Sequence, residues 1–140
     1  LTGLRHLDLT GNEVRDLAPL AAHANLESLV LTSNQIADAA PLAGLTVLFA
    51  LELDDNQLTS VAPLAGLTRL EYLDLDKNQL TSLAPLAGLV HLRDLEASLS
   101  GLNNEAPGHE RNDLPDVHQR ALFLLFRLQR REAGHGLVRG

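Results

Sequence analysis

The chain has no cysteine, methionine or tryptophan, and Lys77 is its only lysine. Without cysteine, disulfides and thiolate metal ligands are excluded. Reducing cytosol and the exterior of a bacterium both remain compatible with that absence. Aromatic residues make up only 3% of the 140 residues, against 45% hydrophobic residues overall. The apolar content is mostly Leu, Ala and Val, which suits a regular core of one repeated side chain better than an irregular globule. The longest apolar run, Ala121 to Phe126, is far shorter than the roughly 20 residues needed to span a bilayer. No secretory leader pattern is visible. Basic residues are scarce and the formal net charge is −7. A nucleic-acid-binding domain carries a basic patch to meet phosphates, so nucleic acid is disfavoured as a partner.

One stretch organises what is present. Leu70-Glu-Tyr-Leu-Asp-Leu-Asp-Lys-Asn-Gln-Leu80 reads L-x-x-L-x-L-x-x-N-x-L. Leu4, Leu26, Leu48, Leu70 and Leu92 follow one another at 22 residues. Pro19, Pro41, Pro63, Pro85 and Pro107 share that period, as do Asn12, Asn34, Asn56 and Asn78. The second half of the unit recurs too: Ala40-Pro-Leu-Ala-Gly-Leu45 returns at 62–67 and at 84–89. A fixed period of this length is the mark of a repeat architecture.

These motifs identify the chain as similar to the leucine-rich repeat family, and its unit resembles that of the bacterial internalins and of a phosphatase-1 regulatory subunit. The resemblance covers residues 1–102, about 4.5 repeats of the 140-residue chain. It implies an α/β solenoid. That solenoid would be a right-handed horseshoe with a parallel sheet on the concave face and 3-10 or irregular turns on the convex side. The residues give the physical reason. Leu73 and Leu75 alternate with Asp74, so the leucines point one way and the carboxylate the other. One unit cannot bury its leucines alone, and stacked copies make a continuous core. Asn78 is expected to end its strand, its amide serving main-chain groups of the turn. Asn12, Asn34, Asn56 and Asn78 would then stack as a structural ladder. Pro85 removes a donor and keeps the return segment short.

The resemblance also implies that the outward strand residues form the binding face, here in three columns. His6, Ser28, Ala50, Tyr72 and Asp94 make the first. Asp8, Val30, Glu52, Asp74 and Glu96 make the second. Thr10, Thr32, Asp54, Asp76 and Ser98 make the third. The candidate partner-binding residues are therefore His6, Asp8, Glu52, Asp54, Tyr72, Asp74, Asp76, Asp94 and Glu96. Acidity is strongest from the third repeat onward. Two carboxylates on adjacent strands, about 4.8 Å apart, repel by roughly 1 kcal/mol in water and about 3 kcal/mol at an effective dielectric of 20. Such a face is either simply solvated and screened or poised for a basic partner protein, with Tyr72 as its natural anchor.

Chemistry finds little purchase. No phosphate-binding glycine–lysine loop, His-Glu-x-x-His, Gly-x-Gly-x-x-Gly or Gly-x-Ser-x-Gly is present, and the six histidines are scattered. The chain is expected to be no enzyme and to need no cofactor. Asp74-x-Asp76-x-Asn78 resembles the start of a calcium loop, but Gln79 stands where that loop needs Gly and Pro85 where it needs Glu. No metal site is expected. The reading is a protein-interaction module; the alternative is a structural spacer or regulatory repeat segment of a larger surface, effector or enzyme protein.

The two ends differ from the middle. Leu1-Thr-Gly aligns with the last part of a unit, so further repeats are expected to precede it, unless another subunit covers that end. Residues 1–102 hold 13 acids against 5 Arg and Lys, net −8, while the rest holds 5 against 6, net +1. Ala97 and Ser100 replace the expected Leu and Asn, so the repeats decay there. A loop is expected over 103–113, a helix over 114–132 as a possible cap, and a frayed tail over 133–140. The helix shows an apolar face of Val117, Ala121, Leu125 and Leu128 beside Arg120, Arg127 and Arg131.

Overall fold

The computed structural model describes residues 3–99. The loop, helix and tail expected over 103–113, 114–132 and 133–140 lie outside the described residues. Five strands form one parallel sheet in chain order: β1 His6–Asp8, β2 Ser28–Val30, β3 Ala50–Glu52, β4 Tyr72–Leu80 and β5 Asp94–Leu99. The register follows the repeat, with His6, Ser28, Ala50, Tyr72 and Asp94 as successive partners. A period of 22 residues returns the chain to the same height on each pass, so equivalent positions pair with one another.

The return segments are short 3-10 helices at Ala18–Ala22, Ala40–Gly44, Ala62–Leu64 and Ala84–Gly88, each with Pro in its first turn. Proline there fixes φ and gives up an N–H that the first turn leaves unpaired in any case. A short polar residue two positions upstream serves each segment's first N–H. Ala18 and Ala40 donate to the Asp16 and Asp38 carboxylates at 2.9 Å, and Ala62 and Ala84 to the Ser60 and Ser82 hydroxyls at 3.1 Å.

The core is a stack of leucine rungs. Leu29, Leu51 and Leu73 make one, Leu31, Leu53 and Leu75 a second, and Leu42, Leu64 and Leu86 a third, all buried. Each fully buried leucine contributes about 1.5–3 kcal/mol of apolar burial. Leu4, Leu7 and Leu9 of the first repeat are only partly buried, because a rung needs a neighbour on each side to be closed.

In each of the first four repeats the chain passes through a left-handed position, after the strand at Gly11 (φ 71°), Ser33 (58°) and Asp55 (60°) and within β4 at Lys77 (55°). Glycine is the one residue of the four for which this conformation is free of Cβ strain. The asparagine next along points inward. Asn56 Nδ2 donates to the carbonyls of Leu31, Leu53 and Asp54 at 2.9, 3.0 and 3.2 Å, and its Oδ1 accepts the Ile36 N–H at 2.9 Å. Asn34 and Asn78 repeat that pattern one unit earlier and later. Asn12 is exposed and donates only within its own turn, to Leu9 and Thr10.

The fourth repeat departs from expectation. Asn78 does not end its strand, because β4 continues to Leu80. Pairing with β5 resumes at Leu80 and Leu99 after an irregularity between Leu75 and Leu80. The left-handed Lys77 interrupts the ladder, and the renewed pairing carries the extended conformation past it.

Candidate functional site: the acidic sheet face

Strand alternation sends Leu73 and Leu75 into the core and leaves Tyr72, Asp74 and Asp76 on the opposite face. On that face Glu52 and Asp74 pair directly across β3 and β4, and Asp74 and Glu96 across β4 and β5. Asp54 and Asp76 lie beside them one position further on. Two groups of three carboxylates result, Glu52 with Asp54 and Asp74, and Asp74 with Asp76 and Glu96. Within each group one oxygen per residue lies within 4.8 Å of the others.

The surroundings raise the proton affinity of Glu52, Asp74 and Glu96. Burial raises the Glu52 carboxyl above its ordinary value, and the charges of Asp54, Asp74 and Asp8 add to it. Burial also raises Asp74, although the Asp76 N–H donates to its Oδ1 at 3.1 Å and opposes the rise. Glu96 is raised first by the charge of Asp74 and then by desolvation, and the two carboxyls are hydrogen-bonded to each other. The Tyr72 hydroxyl is pushed up to about 12, by desolvation first and then by Asp74, Glu52, Glu96 and Asp54. A phenolate there would be a sixth negative charge among five carboxylates.

The remaining predicted residues are arranged differently. Tyr72 is half-buried instead of exposed. His6 and Asp94 are exposed at the two ends of the first column. Asp8 sits two strands from Glu52 and is engaged locally. The Thr10 hydroxyl and N–H donate to its Oδ1 at 2.6 and 2.9 Å and hold its carboxyl below the ordinary value. Asp54 accepts the Thr32 hydroxyl at 2.7 Å. Asn78 turns inward to the ladder, so it does not converge with Asp74 and Asp76 as the start of a calcium loop would. The 22-residue register already placed the five acids of the two groups side by side in the sequence, and the structure adds how closely their oxygens approach. An assembly of oxygens this close can accept a lysine ammonium, an arginine guanidinium or a hard cation.

A model of leucine-rich repeats in two copies matches residues 2–44 and 46–88. The chain belongs to the leucine-rich repeat family. Its fold is similar to that of internalin C2 from Listeria monocytogenes, with a TM-score of 0.69 and 45% identity. That likeness covers 71% of this chain and 46% of the internalin C2 chain. Internalin F from the same organism is 42% identical with a TM-score of 0.68, over 73% of this chain and 31% of its own. The ectodomain of the Arabidopsis thaliana receptor kinase GASSHO1/SCHENGEN3, solved in complex with CASPARIAN STRIP INTEGRITY FACTOR 2, is 28% identical. Its TM-score is 0.60, over 70% of this chain and 13% of its own. The chain thus spans less than half the length of the internalins it resembles. A search of curated proteins gives no match. Among the described residues, no helix is long and apolar enough to cross a membrane.

Proposed function

We propose that this leucine-rich repeat chain is a protein-interaction module without chemistry of its own, and that its acidic sheet face binds a basic surface of a partner protein. In this reading the solenoid curves as a right-handed horseshoe, with the acidic face on its concave side. One observation carries the reading. Glu52, Asp74 and Glu96 stand in register on three adjacent strands, with Asp54 and Asp76 beside them. Repulsion among them is a standing cost to the fold, and a cationic partner relieves it. The complex of the plant receptor ectodomain supports the general use of such repeats for recognition. The same charge repels phosphate, so nucleic acid is no partner of this face.

Opposed charge speeds encounter and makes affinity salt-dependent. Five strands give a ladder of about 24 Å, which is small beside the roughly 800 Å² per partner of a standard interface, so these repeats alone bind weakly. The test is retention of the chain on immobilised basic proteins at low and high salt. Wild type is retained at low salt and released as salt rises, and the variant E52Q/D74N/D76N/E96Q passes through. Equal retention of the two sinks the reading.

A further inference from the structure

Two residues of the third repeat break a pattern that the other repeats keep. The residue before each strand is Arg5, Glu27, Phe49, Glu71 and Arg93, charged in every repeat but one. Two positions earlier stand Gly3, Asn25, Val47, Arg69 and His91, where Val47 is the single branched apolar residue. Phe49 is 41% exposed and, with Val90, one of two exposed large hydrophobics among the described residues. The scaffold uses its main chain: its N–H donates to the Glu27 carbonyl at 2.9 Å, and its carbonyl accepts the N–H groups of Glu71 and Tyr72 at 2.9 and 3.1 Å. Its ring is no member of the core. A charged side chain would serve the fold equally well, as it does in the neighbouring repeats.

The ring and Val47 line a surface depression of about 430 Å³, with Arg5 and Glu27 on the side of the earlier repeats and Arg69 and Glu71 on the side of the fourth. Arg5 and Glu27 neutralise each other in an ion pair at 2.9 Å. Neither Arg69 nor Glu71 has an ion pair among the described residues, so a cation and a carboxylate both stand beside the apolar spot. The next residue along the chain is Ala50, the smallest side chain of its column, followed across the sheet by Tyr72. A low gap therefore joins the depression to the acidic face.

We propose that this rim is a second subsite of the same interface, taking an apolar, preferably aromatic, side chain that a carboxylate follows or precedes. The proposal rests on the acidic-face reading for the direction from which the partner arrives. A basic segment lies over Glu52, Asp74 and Glu96, crosses Ala50, and seats its apolar side chain on Phe49 and Val47. The neighbouring carboxylate reaches Arg69. The charge pattern sets this order: the face is uniformly negative, whereas the rim is balanced and apolar at its centre, with the Arg69 guanidinium there to meet a carboxylate and Glu71 beside it.

The test uses four fluorescein-labelled peptides of equal length. A Lys-Gly-Lys-Gly-Lys or Gln-Gly-Gln-Gly-Gln segment is followed by Phe-Glu or Ala-Glu, and binding to the whole chain is read by polarisation. On wild type the Lys peptide with Phe binds about tenfold tighter than that with Ala, the scale of burying one aromatic ring. On Phe49→Ser the difference vanishes, while thermal melting stays that of wild type because the ring is outside the core. Arg69→Gln weakens the Phe peptide severalfold and leaves its preference over Ala. Equal binding of Phe and Ala peptides to wild type, or a preference that persists in Phe49→Ser, overturns the subsite. The acidic-face reading fails by a separate outcome, equal binding of Lys and Gln peptides, and a Phe preference that survives it leaves the rim standing as a site on its own. A concentration-dependent dimer of wild type that Phe49→Ser abolishes in sedimentation velocity assigns the rim to a second copy and overturns the proposal.

Discussion

The side-chain amide of Asn56 donates to the carbonyl of Leu31, 25 residues earlier, at 2.9 Å, while its Oδ1 accepts the N–H of Ile36 at 2.9 Å. One buried side chain thus binds two consecutive repeats through main-chain groups, and the Leu31 carbonyl it reaches also accepts from Asn34, one step down the ladder. Asn56→Ala removes the acceptor of the buried Ile36 N–H, while the carbonyls of Leu31, Leu53 and Asp54 keep a second donor, a loss of about 1–3 kcal/mol, the scale of one unsatisfied group. Asn12→Ala removes two bonds within an exposed turn and costs under about 1 kcal/mol. Urea unfolding of the two variants side by side checks the contrast. Equal losses would mean that the ladder does not couple repeats.

The leucine rungs predict a gradient of the same kind. Leu51 is fully buried between the rungs of the second and fourth repeats, and Leu7 is partly buried at the edge of the sheet. Leu51→Ala lowers stability by about 3–5 kcal/mol, at the upper part of the range for cavities in closed cores. Leu7→Ala costs about 1–2 kcal/mol, since it removes less buried area. Hydrogen exchange of the β3 amides reads the difference, because stability in a solenoid is a sum of local and nearest-neighbour terms.

The period of 22 made the sheet order, the strand register and the inward leucines legible before any coordinates, since equivalent positions in stacked units must meet. The membership of the acidic columns followed from the same register. What stayed hidden depends on choices within the register. Asp8 and Glu52 share a column, yet Thr10 stabilises the charge of one while burial disfavours that of the other. The extension of β4 past Asn78 depends on pairing with β5, where the repeat decays. Asp16, Asp38, Ser60 and Ser82 share a position as the acceptors that start the return segments, and the change from Asp to Ser after the second hid them. Phe49 was visible as a letter, but its significance needs the exposure of its ring.

Stability should respond to pH through the raised carboxyls. Glu52, Asp74 and Glu96 bind protons more tightly in the folded chain than their ordinary values of 4.5, 3.8 and 4.5 allow. The folded chain therefore carries more protons than the unfolded chain between those values and the raised ones, and stability falls as pH rises through that window. Asp8 acts oppositely: its lowered value contributes stability present above 3.8 and lost as pH falls through its folded value. The melting temperature is highest in mildly acidic buffer and declines toward pH 7. The variant E52Q/E96Q melts about 2–5 °C above wild type at pH 7, after allowance for solvent screening, and equals it at pH 3.5. A variant that melts lower at pH 7 shows that these charges do not repel in the fold.

Tyr72 is the sole tyrosine and the chain has no tryptophan, so ultraviolet absorbance at the phenolate band reports one site in the middle of the acidic face. Its hydroxyl should reach half-ionisation near pH 12, where an unperturbed tyrosine does so near 10. Two causes act together, and salt separates them. Desolvation is indifferent to ionic strength, whereas the fields of Asp74, Glu52, Glu96 and Asp54 reach the ring partly through solvent and are screened over about 8 Å at physiological salt. Raising salt from low to molar concentration lowers the midpoint by a fraction of a unit and leaves the remainder, which is the share of burial. Charge removal in E52Q/E96Q lowers the midpoint at low salt and weakens the salt response, and Asp74 and Asp54 sustain what remains of it. An arginine-rich peptide bound to the face lowers the midpoint further, because its guanidinium groups stay charged in this range and favour the phenolate. A midpoint near 10 in wild type, unmoved by salt, would mean that Tyr72 is neither desolvated nor within the field of the carboxylates, and the acidic face would lose its centre.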